Sequence, residues 1–199
     1  MRTLITSMCI LLILVSGCRK DDLIVNPQPE YKGIIPLAIG NKWNFNIYAY
    51  DTTGAIIVSN ILSYEVIGDS MINGSRWFKI SNFLCANRSN GFSSLSNSDQ
   101  LLIFKYPAAA QDSFYVNGVV NYLHVASIDT TITISLGTYH CYAFDSHQLI
   151  SPGAFGGSYE ILYVSPEVGI VKGEVYAAAQ VGKKQYLWAT TELSSVTLK

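Results

Sequence analysis

Four cysteines and three histidines are the side chains of this sequence that most readily do chemistry. Cys18 stands apart from the others, because it follows an apolar run from Met8 to Val15 and precedes the charged residues Arg19 and Lys20. With Arg2 before it, this run has the charge and length of a secretory signal. It is too short for a transmembrane helix, which needs about 20 apolar residues. The sequence therefore predicts export, with a thiol close to the end of the signal.

The residues at this point, Val15-Ser16-Gly17-Cys18, resemble the lipobox read by bacterial signal peptidase II. The resemblance implies that residues 1–17 are a lipoprotein signal peptide and that Cys18 is the lipid-attachment site and the first mature residue. Two or three acyl chains would hold the protein on a membrane, whereas one chain binds only marginally. The alternative is an ordinary secretory signal in which the cysteine has no role.

The residues after Cys18 bear on which membrane holds the protein. Arg19 is not the aspartate that retains enteric lipoproteins at the inner membrane. Lys20-Asp21-Asp22 is similar to the short charged export signal of Bacteroidota-type surface lipoproteins. This resemblance implies a cell-envelope location at the outer membrane, on either its periplasmic or its cell-surface side.

A tether and one folded domain are predicted beyond the signal. Pro27 and Pro29 favour extended backbone, so residues 18–33 are expected to be a lipidated N-terminus and an extended tether. Residues 34–199 are expected to form a single β-rich domain. With 49% of the chain hydrophobic, such a domain can bury a sizeable core. The formal net charge is −1 and no basic cluster is present, so a nucleic-acid partner is not expected.

Alternating apolar and polar residues predict strands through most of this domain. In WNFNIYAY, residues 43–50, Trp43 and Phe45 share one face with Ile47 and Ala49, which is the period of a half-buried strand. Further strands are predicted at 56–67, 139–144, 160–164 and 186–198, and turns at 51–55, Asn73-Gly74, Asn117-Gly118 and 129–131. We therefore predict an all-β fold, an antiparallel meander forming a sandwich or a curved half-barrel, with little helix.

Three less regular segments need separate interpretation. The polar stretch Cys85 to Gln100 is predicted to be a long exposed loop. The glycine-rich residues 151–158 are predicted to be a flexible loop, since they lack a phosphate-binding arrangement. Residues 175–180 are assigned to a strand rather than a helix, with a three-residue turn that would place Ala178 opposite Trp188.

Two short motifs carry a second resemblance. PLAIGNKWNF, Pro36 to Phe45, and YVSPEVGIVK, Tyr163 to Lys172, are similar to segments of secreted lipoproteins that pair an early GNxWxF/Y strand with a late YVSPEVGLVK hairpin. The resemblance implies a fold rather than an activity. Neither motif offers an evident catalytic group.

The cysteines and histidines of the domain suggest little chemistry. Export permits a disulfide between Cys85 and Cys141, and two buried free thiols are the alternative. His140 and Cys141 are neighbours on a predicted strand, so their side chains should point to opposite faces. His124 and His147 have no ligand-like spacing, and we predict neither a metal site nor a cofactor.

Three turn-like tripeptides resemble the D-[S/T]-[small apolar or Thr] acceptor for O-glycosylation in Bacteroidota-type exported proteins. The acceptor residues would be Thr52, Ser70 and Thr130, each following an aspartate. Asp-Thr and Asp-Ser are also ordinary turn sequences, so the alternative is that all three tripeptides serve only as turns.

No catalytic residue is predicted, because the chain lacks the motifs of nucleophilic and metal-dependent hydrolases. The leading hypothesis is a non-enzymatic binding or structural module of the cell envelope, anchored at the outer membrane. Its partners would be the membrane, through the lipid, and an envelope protein or glycan in contact with exposed aromatic residues. The alternatives are a half-barrel carrier of lipid or acyl chains, and a glycan-acting hydrolase with carboxylates that converge from distant strands.

Overall fold

Residues 33–96, 99–115, 121–148, 159–178 and 185–199 are described by the computed structural model. The predicted signal peptide, most of the tether, the Asn117-Gly118 turn and residues 151–158 lie outside these ranges. The described residues form twelve strands and no helix, so the all-β prediction is confirmed. The strands are β1 Lys42–Tyr50, β2 Ile56–Ile72, β3 Ser75–Ile80, β4 Phe83–Arg88, β5 Gly91–Ser96, β6 Asp99–Lys105, β7 Ser113–Tyr115, β8 Asn121–Ile134, β9 Gly137–Gln148, β10 Tyr159–Ser165, β11 Gly169–Ala178 and β12 Gln185–Thr197.

The strands form one antiparallel sheet in the order β6-β5-β4-β3-β2-β1-β12-β11-β10-β9-β8-β7. The predicted antiparallel meander is therefore confirmed. β1 and β12, the first and last strands in the sequence, pair with each other in the middle of the sheet. Strand β2 pairs with a different neighbour in each half: Ile56–Glu65 pairs with β1, and Val66–Ile72 pairs with β3. A register shift after Val66 marks this change of partner.

The sheet curls into a nearly closed barrel. The ring of Phe104 in β6 lies 5.0 Å from that of Phe144 in β9, measured between centroids. Phe114 in β7 contacts the other side of Phe144 at 6.3 Å. At the end of β6, Lys105 Nζ lies 2.8 Å from the carboxylate of Asp112, just before β7. These contacts bring the two edges of the sheet together around one aromatic cluster.

Side chains fill the interior around Phe144. Each fully buried apolar side chain contributes about 1.5–3 kcal/mol of stability relative to an exposed one. The segment before β1 also packs inside the barrel, since Ile34 is fully buried and the Ile35 carbonyl accepts a 2.8 Å hydrogen bond from Asn87 Nδ2. The fully buried apolar residues include Ile34, Val66, Val125, Phe144, Val164, Val171 and Leu193.

Two predicted turns are confirmed in detail. The Asp51 carboxylate accepts hydrogen bonds from the backbone N–H groups of Thr53 and Ala55, at 2.8 and 3.0 Å. Asn73 and Gly74 have φ values of 50° and 73°, as the tight hairpin between β2 and β3 requires.

The prediction of an exposed loop from Cys85 to Gln100 is wrong. This stretch contributes to β4, β5 and β6, and its side chains at Cys85, Ala86 and Phe92 are buried. The apolar–polar alternation of a strand is not visible here, because a serine occupies a buried position. The hydroxyl of this residue, Ser93, accepts a hydrogen bond from Gln100 Nε2 at 3.3 Å. A small hydroxyl with a partner fits inside the wall of a barrel as an apolar residue does.

Two local predictions in the second half also need correction. Asp129-Thr130-Thr131 is not a turn, because it lies within β8, beside two register shifts that bend the strand. Ala178 pairs with Gln185 rather than Trp188. Val175 already pairs with Ala189 instead of Thr191, which that prediction implies, and a register shift between Val175 and Tyr176 displaces the strands by one more position. The choice of strand over helix is confirmed as far as Ala178.

The part of the chain that the structure describes contains no helix whose length and hydropathy would let it cross a membrane.

Candidate binding surface

The two cysteines of the domain are buried free thiols that lie on different parts of the sheet, Cys85 in β4 and Cys141 in β9. Burial raises the pKa of each thiol to about 11, and the Glu167 carboxylate adds to this effect at Cys141. Thiols in this state are poor nucleophiles and poor metal ligands. The disulfide that export would permit is not formed in this structure. Cys18 lies outside the described residues.

A histidine–aspartate pair that the sequence did not reveal lies on β8 and β9. His140 Nδ1 is 2.8 Å from Asp129 Oδ1, and about three quarters of each side chain is exposed. His140 is thus exposed where its neighbour Cys141 is buried, in keeping with their opposite faces on a strand. Because most of each side chain is exposed, the pair lacks the enclosed, fixed geometry that general-base catalysis needs. Among the described residues, no three metal-ligating side chains come together.

The three predicted glycan acceptors lie in different settings. Thr52 is exposed in the turn between β1 and β2. Ser70 is exposed but lies within β2, opposite Trp77 of β3. Thr130 lies within β8, opposite the buried Cys141, and is half-buried. Only Thr52 therefore has the turn location on which the interpretation of all three depended.

The most distinctive surface is a cluster of tyrosines on the outer face of the sheet, which we call the tyrosine surface. It consists of Tyr48 and Tyr50 in β1, Tyr159 and Tyr163 in β10, and Tyr176 in β11, with Glu174 among them. Alternation along the strands places them there: Phe45 and Ile47 face the barrel interior, so their neighbours face outward. The cross-strand register then aligns Tyr48, Thr190 and Glu174 in one row.

Glu174 organises the centre of the tyrosine surface. Its Oε2 accepts hydrogen bonds from the hydroxyls of Tyr176 and Tyr163, at 3.1 and 3.4 Å. Its Oε1 lies 2.7 Å from Lys172 Nζ, and the Glu174 side chain is only 14% exposed. A carboxylate held by three donors fixes the two tyrosine rings and the lysine in place.

Ring stacking extends this arrangement to β10. The rings of Tyr159 and Tyr176 lie almost parallel, with an interplanar angle of 9° and centroids 4.7 Å apart. At the other end, the hydroxyl of Tyr50 lies 2.9 Å from Thr190 Oγ1, and Thr190 is buried beneath it. The surface is therefore preorganised rather than a set of independent exposed rings.

The hydroxyls of Tyr163 and Tyr176 stay protonated over the whole physiological range. Burial, followed by the Glu174 carboxylate, raises the pKa of Tyr163 and of Tyr176 to about 12. Each of these two hydroxyls thus keeps its proton and donates a hydrogen bond to Glu174. The surface combines apolar ring faces and hydroxyl groups with two carboxylates, Glu174 and Asp145, which share a face because both pair with Ile161. Flat rings that carry hydroxyl groups are well suited to binding.

Glu160 lies on the opposite face of the same strands. It pairs with Val175 of β11, whereas its neighbour Ile161 pairs with Glu174. Burial raises the pKa of Glu160 above its ordinary value. Because Glu160 and Glu174 face opposite sides of the sheet, they do not form the paired carboxylates of a glycoside hydrolase.

Sequence reasoning expected exposed aromatic residues but did not locate them. The signal was present in β1, where tyrosines at 48 and 50 alternate with Ile47 and Ala49. In β10 and β11 the tyrosines are mixed with glycines and valines, and only the cross-strand register joins them into one surface.

Comparison with known proteins adds to the description of the fold. No family model matches the chain, and no curated protein matches it. A protein from Bacteroides fragilis NCTC 9343, described as exported and as having a YmcC-like fold, is similar with a TM-score of 0.52 and 14% identity, over 82% of this chain and 98% of that one. A protein from Parabacteroides distasonis ATCC 8503, described as a lipoprotein, has a TM-score of 0.43 and 15% identity, over 83% and 98% of the two chains. The first likeness shows that the two proteins share a fold.

Proposed function

We propose that this chain is an outer-membrane lipoprotein of a Bacteroidota-type cell envelope, and that its domain is a non-enzymatic binding module. Acyl chains on Cys18 would hold it, and an envelope glycan would dock on the tyrosine surface. The lipobox-like residues before Cys18 support the anchor. The B. fragilis protein with this fold is itself described as exported, which supports the envelope location.

The arrangement of tyrosines around Glu174 is the observation that carries the binding role. Tyrosine supplies a large, rigid contact area with only two side-chain torsions to fix. Here the rings are fixed already, because Tyr163 and Tyr176 are bonded to Glu174 and Tyr159 is stacked on Tyr176. A ligand therefore loses less free energy in ordering the protein when it binds.

A glycan matches these groups better than a charged ligand does. Sugar rings have apolar faces of C–H groups that fit flat aromatic rings, and hydroxyls that exchange hydrogen bonds with phenols and carboxylates. Lys172, the basic side chain at the centre of the surface, is already paired with Glu174. Asp145 adds a second carboxylate on the same face, so the surface offers no net positive charge to an anionic partner.

Binding is tested with the full-length Cys18→Ala chain and a panel of soluble envelope polysaccharides, by calorimetry. We expect Tyr159→Ala and Tyr176→Ala each to weaken binding about tenfold or more, the scale of an aromatic hot spot. Phe83→Ala is the matched control, since Phe83 is an exposed aromatic residue in β4, away from the surface. Binding that all three variants retain, or that all three lose equally, would contradict the proposal.

The anchor is tested separately in cells. Labelled palmitate should enter the wild-type protein and not the Cys18→Ala variant, and the wild-type protein should fractionate with the outer membrane. Protease treatment of intact cells then distinguishes the cell-surface side from the periplasmic side. A wild-type protein that is released in soluble form would refute the anchor without bearing on the tyrosine surface.

A further inference from the structure

The first half of β2 forms an open edge of the sheet. Ile56–Glu65 pairs with β1 on one side, and β3 begins to pair with β2 only at Val66. No strand within the described residues covers the other side of Ile56–Glu65. The edge, Ile56–Glu65, is therefore as long as a full strand.

The backbone groups on this edge can be identified from the ladder. The N–H of Val66 donates to the Asn41 carbonyl at 2.9 Å, and the Val66 carbonyl accepts from the Gly40 N–H at 2.8 Å. From Val58 to Val66, even-numbered residues of β2 thus point their polar groups toward the β1 side, and Ser59, Ile61 and Ser63 point theirs to the open edge. Of these N–H groups, that of Ile61 is held at 2.8 Å by the side chain of its neighbour Asn60. Ile57 lies at a bulge, because Val58 pairs with Ala49 and Ile56 with Tyr50.

Large apolar side chains are exposed along this edge, and no charged residue protects it. Ile56, Ile57, Val58 and Ile61 are 58%, 60%, 53% and 71% exposed. No charged residue and no proline occurs from Ile56 through Tyr64, although natural sheet edges are usually protected by such residues. An uncovered strand of this kind is a template for pairing with another strand.

We propose that residues 56–64 pair, antiparallel and across a two-fold axis, with the same residues of a second copy of this chain. Antiparallel pairing of identical strands is self-complementary, because each copy presents the same N–H and C=O groups. The segment is uncharged, so two copies meet without like-charge repulsion, and the first carboxylate beyond it, Glu65, is paired with Lys42 at 3.6 Å. A charged partner would find nothing complementary along this strand.

Side-chain sizes favour the same arrangement. Ile61 lies between Ser59 and Ser63 on one face of β2. In registers that place isoleucines of one copy beside serines of the other, large and small side chains interlock across the two-fold axis. The paired strands would join the two curled sheets into one continuous sheet and cover the exposed isoleucines of both copies.

The oligomeric state of the full-length Cys18→Ala chain tests this proposal. Sedimentation equilibrium should show a dimer that dissociates on dilution in the micromolar range. Ile61→Lys should raise the dissociation constant at least tenfold, because it places two like charges at the shared edge. Met71→Lys is the matched control: Met71 is 61% exposed on the same strand, but in the half that β3 covers, and its variant should dimerise as the wild type does.

Ser59→Lys is a second variant with a similar expectation, in case Ile61→Lys does not fold. Hydrogen exchange provides an independent readout, since the amides of Ser59 and Ser63 should exchange more slowly at concentrations where the dimer forms. A wild-type chain that is monomeric throughout the micromolar range would overturn the proposal. So would a dimer that both edge variants leave intact, since that dimer must use another surface.

Discussion

The indole Nε1 of Trp43 donates a 2.6 Å hydrogen bond to the main-chain carbonyl of Val168, 125 residues further along the chain. Both groups are buried. Trp43 belongs to the early GNKWNF motif and Val168 to the late SPEVG motif, so the two motifs that stand far apart in the sequence form one contact. This bond holds the turn between β10 and β11 against the start of β1 at the centre of the sheet.

Replacing Trp43 by phenylalanine should destabilise the domain. The variant leaves the buried Val168 carbonyl without its donor, which costs about 1–3 kcal/mol, and the smaller ring adds a cavity. Urea denaturation followed by circular dichroism measures the change. Trp188→Phe is the control, because Trp188 is 47% exposed, and its effect should stay within about 0.5 kcal/mol. Equal losses in the two variants would mean that the buried bond contributes nothing.

A second prediction concerns two glycines whose backbone conformations only glycine adopts easily. Gly54 has a φ of +87° in open space, so Gly54→Ala should cost about 1–2 kcal/mol from the backbone alone. Gly91 has a φ of +140°, and a Cβ there would overlap the main-chain carbonyl of Phe104. Gly91→Ala must therefore push β6 away from β5, and we expect a loss of more than about 3 kcal/mol. Similar denaturation midpoints for the two variants would contradict this account.

The sequence predicted the parts of the fold in which local chemistry decides the structure. The strand at 43–50 and the turn at Asn73-Gly74 follow from alternation and from the need for positive φ. The segment 85–100 could not be predicted in this way, because Ser93 is buried only through its position in the barrel wall, beside Gln100. Strand register was also invisible in the sequence. Two register shifts lie beside Thr130 in β8, and the β11–β12 pairing that gives Ala178 its partner differs from the predicted register even before its own shift.

The candidate surface was predictable only in kind. Tyrosine is abundant in the sequence, but no spacing indicates that Tyr163 and Tyr176 share Glu174. That relation depends on the pairing of β10 with β11, which brings together residues eleven and two positions from Glu174. Long-range strand pairing is the information that a single sequence carries least directly.

A third prediction concerns the reactivity of the two buried thiols. With pKa values near 11, Cys85 and Cys141 should be almost entirely protonated at neutral pH and shielded from reagents. Iodoacetamide should therefore leave both unmodified in the native protein and modify both in urea, as read by peptide mass spectrometry. Modification in urea without a reductant also reports the absence of a disulfide. Rapid labelling of either cysteine in the native state would show that its strand opens readily.

The fourth prediction concerns the pH dependence of stability through Glu160. Burial raises its pKa in the folded protein above the ordinary value of 4.5, so the folded state keeps this proton to higher pH than the unfolded state. The contribution of Glu160 to the free energy of unfolding therefore falls as pH rises from about 4.5 through the raised pKa. Glu160→Gln does not titrate, and its stability relative to the wild type should increase across this window and not below it.

Asp51 provides a control of opposite sign. Hydrogen bonds from the Thr53 side chain and from backbone N–H groups of the turn lower its pKa, so its stabilising contribution is present above the ordinary value of 3.8 and is lost as pH falls. Asp51→Asn should therefore lose stability relative to the wild type as pH rises, where Glu160→Gln gains. Denaturant titrations between pH 3 and pH 8 measure both slopes. Two slopes of the same sign would show that a general charge effect, rather than the burial of Glu160, governs the response.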